Sequence, residues 1–170
     1  VGKRETVIRF EREAQATADL GSPHTVTIYD YGATEDGELY YVMEYLDGDD
    51  LETLVARTGP LSASRAAHLL VQVCRSLSEA HMRGLVHRDI KPSNIVVGRV
   101  GTVWDFVKVL DFGLVKRLSP EIVNTTATRD GVVTGTPAFM APEMVLGDRP
   151  PDARTDVYQL GCTAYWMLSG

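Results

Sequence analysis

Residues 87–94, read HRDIKPSN, constrain this chain more than any other stretch. They set charges of both signs beside a proline, with no helical or strand period. The stretch is therefore a loop. Asp89, Lys91 and Asn94 share it, so a carboxylate, an ammonium and an amide can meet at one point. A long helical pattern precedes this loop and a short apolar run follows it.

The rest of the chain supplies a frame. Val7, Phe10, Ala14, Thr17 and Ala18 recur at spacings of three and four, which predicts a helix over 6–20 that Gly21-Ser22-Pro23 stops. Residues 25–31 are rich in β-branched and aromatic types and predict a strand. Asp36-Gly37 is a hairpin signal, and 39–45 predict a second, antiparallel strand. Residues 47–50 read as an acidic turn and 51–57 as a short helix ended by Gly59-Pro60. Ser62 is an N-cap candidate. Beyond it Ala66, Leu70, Val73, Leu77 and Ala80 mark a long helix to about residue 82, closed by Gly84. Loops and short strands fill 86–97 and 107–110. A threonine-rich polar span covers 118–134, a short helix 141–146, and an apolar helix, expected to be buried on most faces, 156–168. One helix and two strands at the front, then helices and loops, make an α+β chain with a small sheet lobe joined to a larger helical lobe.

Composition narrows the partners. The chain has 170 residues, of which 44% are hydrophobic and 24% charged, as expected of one globular domain. Its net charge of −6 argues against a nucleic acid held by bulk charge. Cys74 and Cys162 are read as two buried thiols in a reducing cytoplasm, not as a disulfide framework. No apolar run approaches the roughly 20 residues of a membrane span, and residues 1–5 do not resemble a signal peptide. A membrane anchor is therefore expected only in a parent sequence beyond this chain.

Three motifs carry a resemblance. His87-Arg88-Asp89-Ile90-Lys91-Pro92-Ser93-Asn94 is followed by Asp111-Phe112-Gly113 and then by Ala141-Pro142-Glu143. Their order and separations resemble the protein kinase family, in its serine/threonine branch, over essentially the whole chain. The wording Ser22-Pro23-His24-Thr25-Val26 and Asp156-Val157-Tyr158-Gln159-Leu160-Gly161 is similar to bacterial members. The resemblance implies a truncated two-lobed kinase-like fold. Residues 1–45 would be part of the N-lobe, and 46–170 part of the C-lobe.

The same resemblance implies ATP, Mg²⁺ and protein substrates phosphorylated on Ser or Thr. In phosphoryl transfer the moving group carries spread negative charge, so catalysis is positioning plus electrostatic stabilisation. Mg²⁺ takes oxygen ligands, which suits Asp111 and the side-chain oxygen of Asn94. Asp89 would accept the substrate hydroxyl proton or orient that hydroxyl, and Lys91 would stand by the γ-phosphate. Lys91 and Thr136, in Gly135-Thr136-Pro137, point to Ser/Thr substrates. Glu13, preferred over Glu11, resembles the helix glutamate that pairs with a third-strand lysine. Met43-Glu44-Tyr45-Leu46 resembles the hinge. There Met43 would be the gatekeeper, and the Glu44 carbonyl and Leu46 amide would meet adenine. Val96 would lie beneath adenine, and Asp50, with Asp49 as its rival, would meet the ribose.

Arg88 and Lys116 resemble the two cations that face a phosphate on the activation segment. Thr125, Thr126, Thr128 and Thr134 are the candidate acceptors, with Thr128 preferred. There are also departures. Thr17 stands where the family has a large apolar residue stacking through Ile28, Phe112 and His87, which would weaken that stack by about one or two kcal/mol. No glycine-rich loop and no third-strand lysine precede Glu13, and Glu143 is expected to lack an arginine partner. The chain alone is expected to be inactive and poorly soluble. A scaffold of the same fold without catalysis is the competing class, and a small-molecule phosphotransferase a weaker third.

Overall fold

The computed structural model describes residues 3–112 and 137–170. Helix α1 (Lys3–Ala18) buries Phe10, Ala14 and Thr17, one side of the predicted periodic face. The Thr17 hydroxyl donates to the Glu13 carbonyl one turn back at 3.0 Å, which lets a polar side chain lie almost fully buried. α1 packs on a two-stranded antiparallel sheet of β1 (Ile28–Ala33) and β2 (Leu39–Met43), forming a small apolar cluster around Phe10, Ala14 and Ile28. The Asp36-Gly37 turn joins the strands, with Gly37 at a φ of 83° that favours glycine.

The strand expected over 25–31 is divided. Only its second half joins β2. Thr25 bridges Val109 in parallel, the Val26 amide donates to the Val109 carbonyl at 3.0 Å, and the Val109 amide donates to His24 at 2.8 Å. One short segment thus stitches the small sheet to a second one. Apolar periodicity cannot show such a change of partner, because both halves look equally extended.

The second sheet has the order β3 (Gly48–Asp50), β4 (Ile95–Val100), β5 (Val103–Val109), all antiparallel. The acidic turn expected over 47–50 is therefore an edge strand. A Cβ on Gly48 would lie 2.5 Å from the Val97 carbonyl oxygen, and one on Gly98 would lie 2.4 Å from that of Asp47. The two glycines permit a backbone approach that other residues would block.

Helix α2 (Leu51–Thr58) starts at Asp50, whose carboxylate accepts the Thr53 amide at 2.8 Å. Helix α3 (Ala63–Met82) is capped by Ser62 and buries Ala66, Leu69, Val73, Leu77 and Ala80. Leu69 takes the fully buried place, while Leu70 is partly covered. Cys74 is exposed and Cys162 half-exposed, so the expectation of two buried thiols does not hold. Cys74 follows Val73 by one residue, about 100° around the helix, and so leaves the core face.

A 3-10 turn, Pro137–Phe139, precedes one short and one long helix. Helix α4 (Pro142–Leu146) begins with proline in its first turn and ends at Gly147, which is in the left-handed region. Helix α5 (Ala153–Ser169) buries Thr155, Asp156, Gln159, Thr163 and Met167. Its buried face is mostly polar, and Val157, Tyr158, Tyr165 and Leu168 are exposed. This differs from the helix expected to be apolar and buried on most faces. Its inner polar groups serve neighbouring backbone, as described below. Among the described residues no helix is long and apolar enough to cross a membrane.

Glu79 of α3 ties the segment after α1 to the large core. Its carboxylate accepts the Gly21 amide at 2.9 Å and the Ser22 amide at 2.6 Å, and Arg83 pairs with it at 2.8 Å. The Gly21 bond foremost holds the Glu79 carboxyl below its ordinary pKa. A depressed folded-state pKa adds stability that is present above the ordinary carboxylate range and is lost as pH falls through the folded value. Glu79→Gln should therefore lower the melting temperature at neutral pH, and the gap from wild type should narrow towards about pH 3. Thermal melts across that range check this.

Candidate active site

The 87–94 loop is held from below by α5. Asp156, wholly buried, accepts the His87 amide at 2.9 Å and the Arg88 amide at 2.7 Å, and its Oδ2 lies 2.7 Å from His81 Nε2. Gln159 accepts the Ile90 amide at 3.0 Å and donates to the Arg88 carbonyl at 3.2 Å. Arg88 has a φ of 68°, a costly conformation for a residue with a side chain. Those four bonds hold its neighbourhood in place. Ile90 is fully buried and anchors the loop in the core.

His87 sets the second layer. Its Nε2 lies 2.7 Å from the Leu110 carbonyl, and its Nδ1 accepts the Asp89 amide at 3.2 Å. One nitrogen donates and the other accepts, which is the pattern of a neutral ring. Complete burial pushes the His87 pKa down, in keeping with that form. The ring lies 4.6 Å from that of Phe112.

On this base Asp89, Lys91 and Asn94 meet. Lys91 Nζ is 3.2 Å from Asp89 Oδ2. Asn94 Nδ2 donates to the Asp89 carbonyl at 2.8 Å and to Oδ2 at 3.1 Å. Asn94 closes a 3-10 turn, Pro92–Asn94, directly before β4. Because Ile95 pairs with Val109, Asn94 and Leu110 leave the β4–β5 hairpin side by side, and the Leu110 amide donates to the Asn94 carbonyl at 2.9 Å. This places Asp111 next to the loop although it comes 16 positions after Ile95. Asp111 has a φ of 47°, and its Oδ1 accepts the Tyr41 hydroxyl. Burial and the adjacent carboxylate raise the Tyr41 pKa, so the phenol keeps its proton.

The hinge candidates line one edge. Met43 ends β2 opposite Ile28 and is 39% exposed. The Glu44 amide donates to the Thr27 carbonyl at 2.9 Å, and its carboxylate accepts the Thr27 amide at 2.7 Å and Lys108 Nζ at 2.5 Å. Burial favours the protonated carboxyl, but the Lys108 and Thr27 donors outweigh it and lower the Glu44 pKa. Leu46 follows, half-buried. Asp50 pairs with Val96 across β3 and β4, and Val96 with Lys108 across β4 and β5. Asp49, the rival of Asp50, is bonded to Arg57. On α1, Glu13 is half-buried and Glu11 exposed.

Lys116, Thr125, Thr126, Thr128, Thr134 and Thr136 lie outside the described residues. Glu143, expected to be unpartnered, is not. Its Oε1 accepts the Thr155 hydroxyl at 2.6 Å and its Oε2 takes Arg149 at 3.3 Å. The Thr155 bond leads in holding its pKa down. Neighbours in the chain supply the donors that a motif alone does not reveal.

Asp156, Gln159, His81, Lys108 and Tyr41 were not singled out for roles from sequence. Asp156 and Gln159 did carry a signal, since two polar residues three apart open an otherwise apolar helix. Tyr41 and Lys108 carried none, because their partners are remote in sequence.

The sequence matches the protein kinase domain family model over residues 2–170. The chain belongs to that family. It is 42% identical, over 97% of its length, to serine/threonine-protein kinase pkn3 of Myxococcus xanthus, of which it covers 30%. It is 40% identical, over 96% of its length, to serine/threonine-protein kinase PknB of Mycobacterium leprae, of which it covers 25%. The fold agrees with the crystal structure of the PknI kinase domain of Mycobacterium tuberculosis, at a TM-score of 0.74 and 30% identity, covering 96% of this chain and 57% of that one. The fold is kinase-like, and the chain spans under a third of the curated relatives just named.

Asp156→Ala should strand the His87 amide, which is buried, and the Arg88 amide, which is partly so. Each unsatisfied group costs about 1–3 kcal/mol. Denaturant titration should show that loss, against a much smaller loss for the exposed change Val157→Ala.

Proposed function

We propose that this chain carries the phosphoryl-transfer site of a serine/threonine protein kinase. The observation that carries the reading is the bonded cluster of Asp89, Lys91 and Asn94, with Asp111 set beside it by the β4–β5 hairpin. Asp89 receives or orients the substrate hydroxyl proton, and Lys91 brings positive charge to the same carboxylate.

The donor set suits Mg²⁺. The Asn94 amide nitrogen is spent on Asp89, which turns its oxygen to the acceptor role. Asp111 keeps Oδ2 beyond the oxygen that Tyr41 engages. Two oxygen ligands and no closed cage match an ion that keeps water and substrate phosphates in its shell. When bound, Mg²⁺ supplies charge neutralisation at the phosphates.

ATP is read into the edge of Met43, Glu44, Leu46, Asp50 and Val96. The Glu44 carboxylate is already engaged by Lys108 and Thr27, which supports a main-chain role for Glu44 and Leu46 towards adenine. The Asp50–Val96 pairing supports a ribose contact next to an adenine floor. Glu13 takes the lysine-pairing role and Thr136 the contact with Asp89 and Lys91. The lobe division at 45/46 and a cytoplasmic setting, with any membrane anchor outside this chain, belong to the same reading.

Regulation follows from Arg88. Its Nε is buried with no hydrogen-bond partner among the described residues, which supports an anion arriving there. With Lys116 it would meet a phosphate on Thr126, Thr128 or Thr134, and Thr128 is preferred.

Two measurements test the reading on the whole protein. Asp89→Asn should cut transfer of the γ-phosphate to Ser/Thr peptides by roughly 10²–10⁴-fold while leaving ATP binding in place. Asp111→Ala should abolish metal-dependent nucleotide binding. Wild-type protein that binds Mg-ATP but phosphorylates no Ser/Thr peptide would favour the scaffold class instead. For regulation, alanine at Thr125, Thr126, Thr128 and Thr134 together should depress peptide phosphorylation, and undiminished activity would sink the switch.

A further inference from the structure

Asp111 is steadied on its main chain by groups already described. The amide of Leu110 before it bonds to Asn94, the Leu110 carbonyl meets His87, and the ring of Phe112 after it lies against His87. None of these touches the carboxylate. Among the described residues, the hydrogen bond that the carboxylate receives comes from Tyr41.

Tyr41 is well placed to impose a direction. It lies inside β2, paired with Tyr31 of β1. Its ring is partly buried against the cluster of Phe10, Ala14 and Ile28, so α1 and the small sheet fix the phenol before it reaches Asp111. A phenol donates one hydrogen and has few torsions to lose, so the bond selects one carboxylate rotamer at low entropic cost.

We propose that Tyr41 is a positioning residue for the metal-binding carboxylate. Its hydroxyl engages Oδ1 of Asp111 and turns Oδ2 towards the metal. The packing of α1 on β2 thereby sets the orientation of a ligand supplied by the other lobe. The inference rests on the kinase reading above. It adds a residue outside the three motifs that carry that reading.

The test uses the whole protein with Mn²⁺ as the probe and a non-hydrolysable ATP analogue. Free Mn²⁺ is followed by electron paramagnetic resonance, and analogue binding is measured with and without metal. Tyr41→Phe keeps every ring carbon in the cluster and removes only the donor. It should weaken Mn²⁺ binding on the order of tenfold, as expected for losing a group that orients a metal ligand. Metal-free analogue binding should not change. Tyr40→Phe, on the opposite face of the same strand, should match wild type. Equal Mn²⁺ affinity in Tyr41→Phe and wild type overturns the proposal. So does tighter binding, which would make Tyr41 a lock that holds Asp111 away from metal. So does a parallel loss of metal-free analogue binding, which would mark a packing defect. Wild-type protein that binds no Mn²⁺ with the analogue overturns the kinase reading and this inference together.

Discussion

The buried carboxylate of Asp156 holds the centre of this structure. A charge without water is costly unless donors surround it. Here two main-chain amides of the loop and a histidine surround it, and both amides come from adjacent residues. Their bonds help keep Arg88 at an unusual φ, after which Asp89 is half-buried and Ile90 fully buried. The polar inner face of α5 is thus a foundation for the loop, and the exposed outer face takes no part in it.

The β4–β5 hairpin performs the second task. Antiparallel pairing brings the ends of its strands together, so the residue before β4 and the residues after β5 become neighbours. Proposed base, proposed metal ligands and the Phe112 ring are assembled by ordinary strand register. No long-range side-chain network is needed to explain why the first two motifs meet. β3 extends the same sheet and brings Asp50 level with Val96, so the proposed nucleotide edge shares a frame with the proposed chemistry.

Much of this was legible in the sequence. The periodicities of α1 and α3, the Ser62 cap and the hairpin at Asp36-Gly37 are local signals, and local signals survive folding. The three motifs located the loop and Asp111. What escaped was set by partners far away in sequence. The division of 25–31 between two sheets depends on Val109, and the strand over 48–50 depends on Gly98. The polar interior of α5 escaped, and the helix read as apolar throughout, because the amides it serves lie about 70 residues earlier. Glu143 was expected to be without the arginine that the resemblance implies, yet Thr155 and Arg149, which belong to no motif, partner it. Tyr41 is one aromatic among several in a strand, and only coordinates show its oxygen at Asp111.

The crossover at 24–28 has a mechanical consequence. Backbone bonds fasten His24 and Val26 to β5, and two residues later the chain is already fastened to β2. Lys108 adds a clasp at the same seam, reaching both Thr25 and Glu44. Torsional freedom between the two sheets is thereby confined to a strip one or two residues wide. Relative motion there becomes a swing about a single axis, since sliding would have to break main-chain bonds on one side. A nucleotide gripped along that axis would feel little leverage from the swing, while the turn at Asp36-Gly37, at the end of the small sheet away from the seam, would travel furthest.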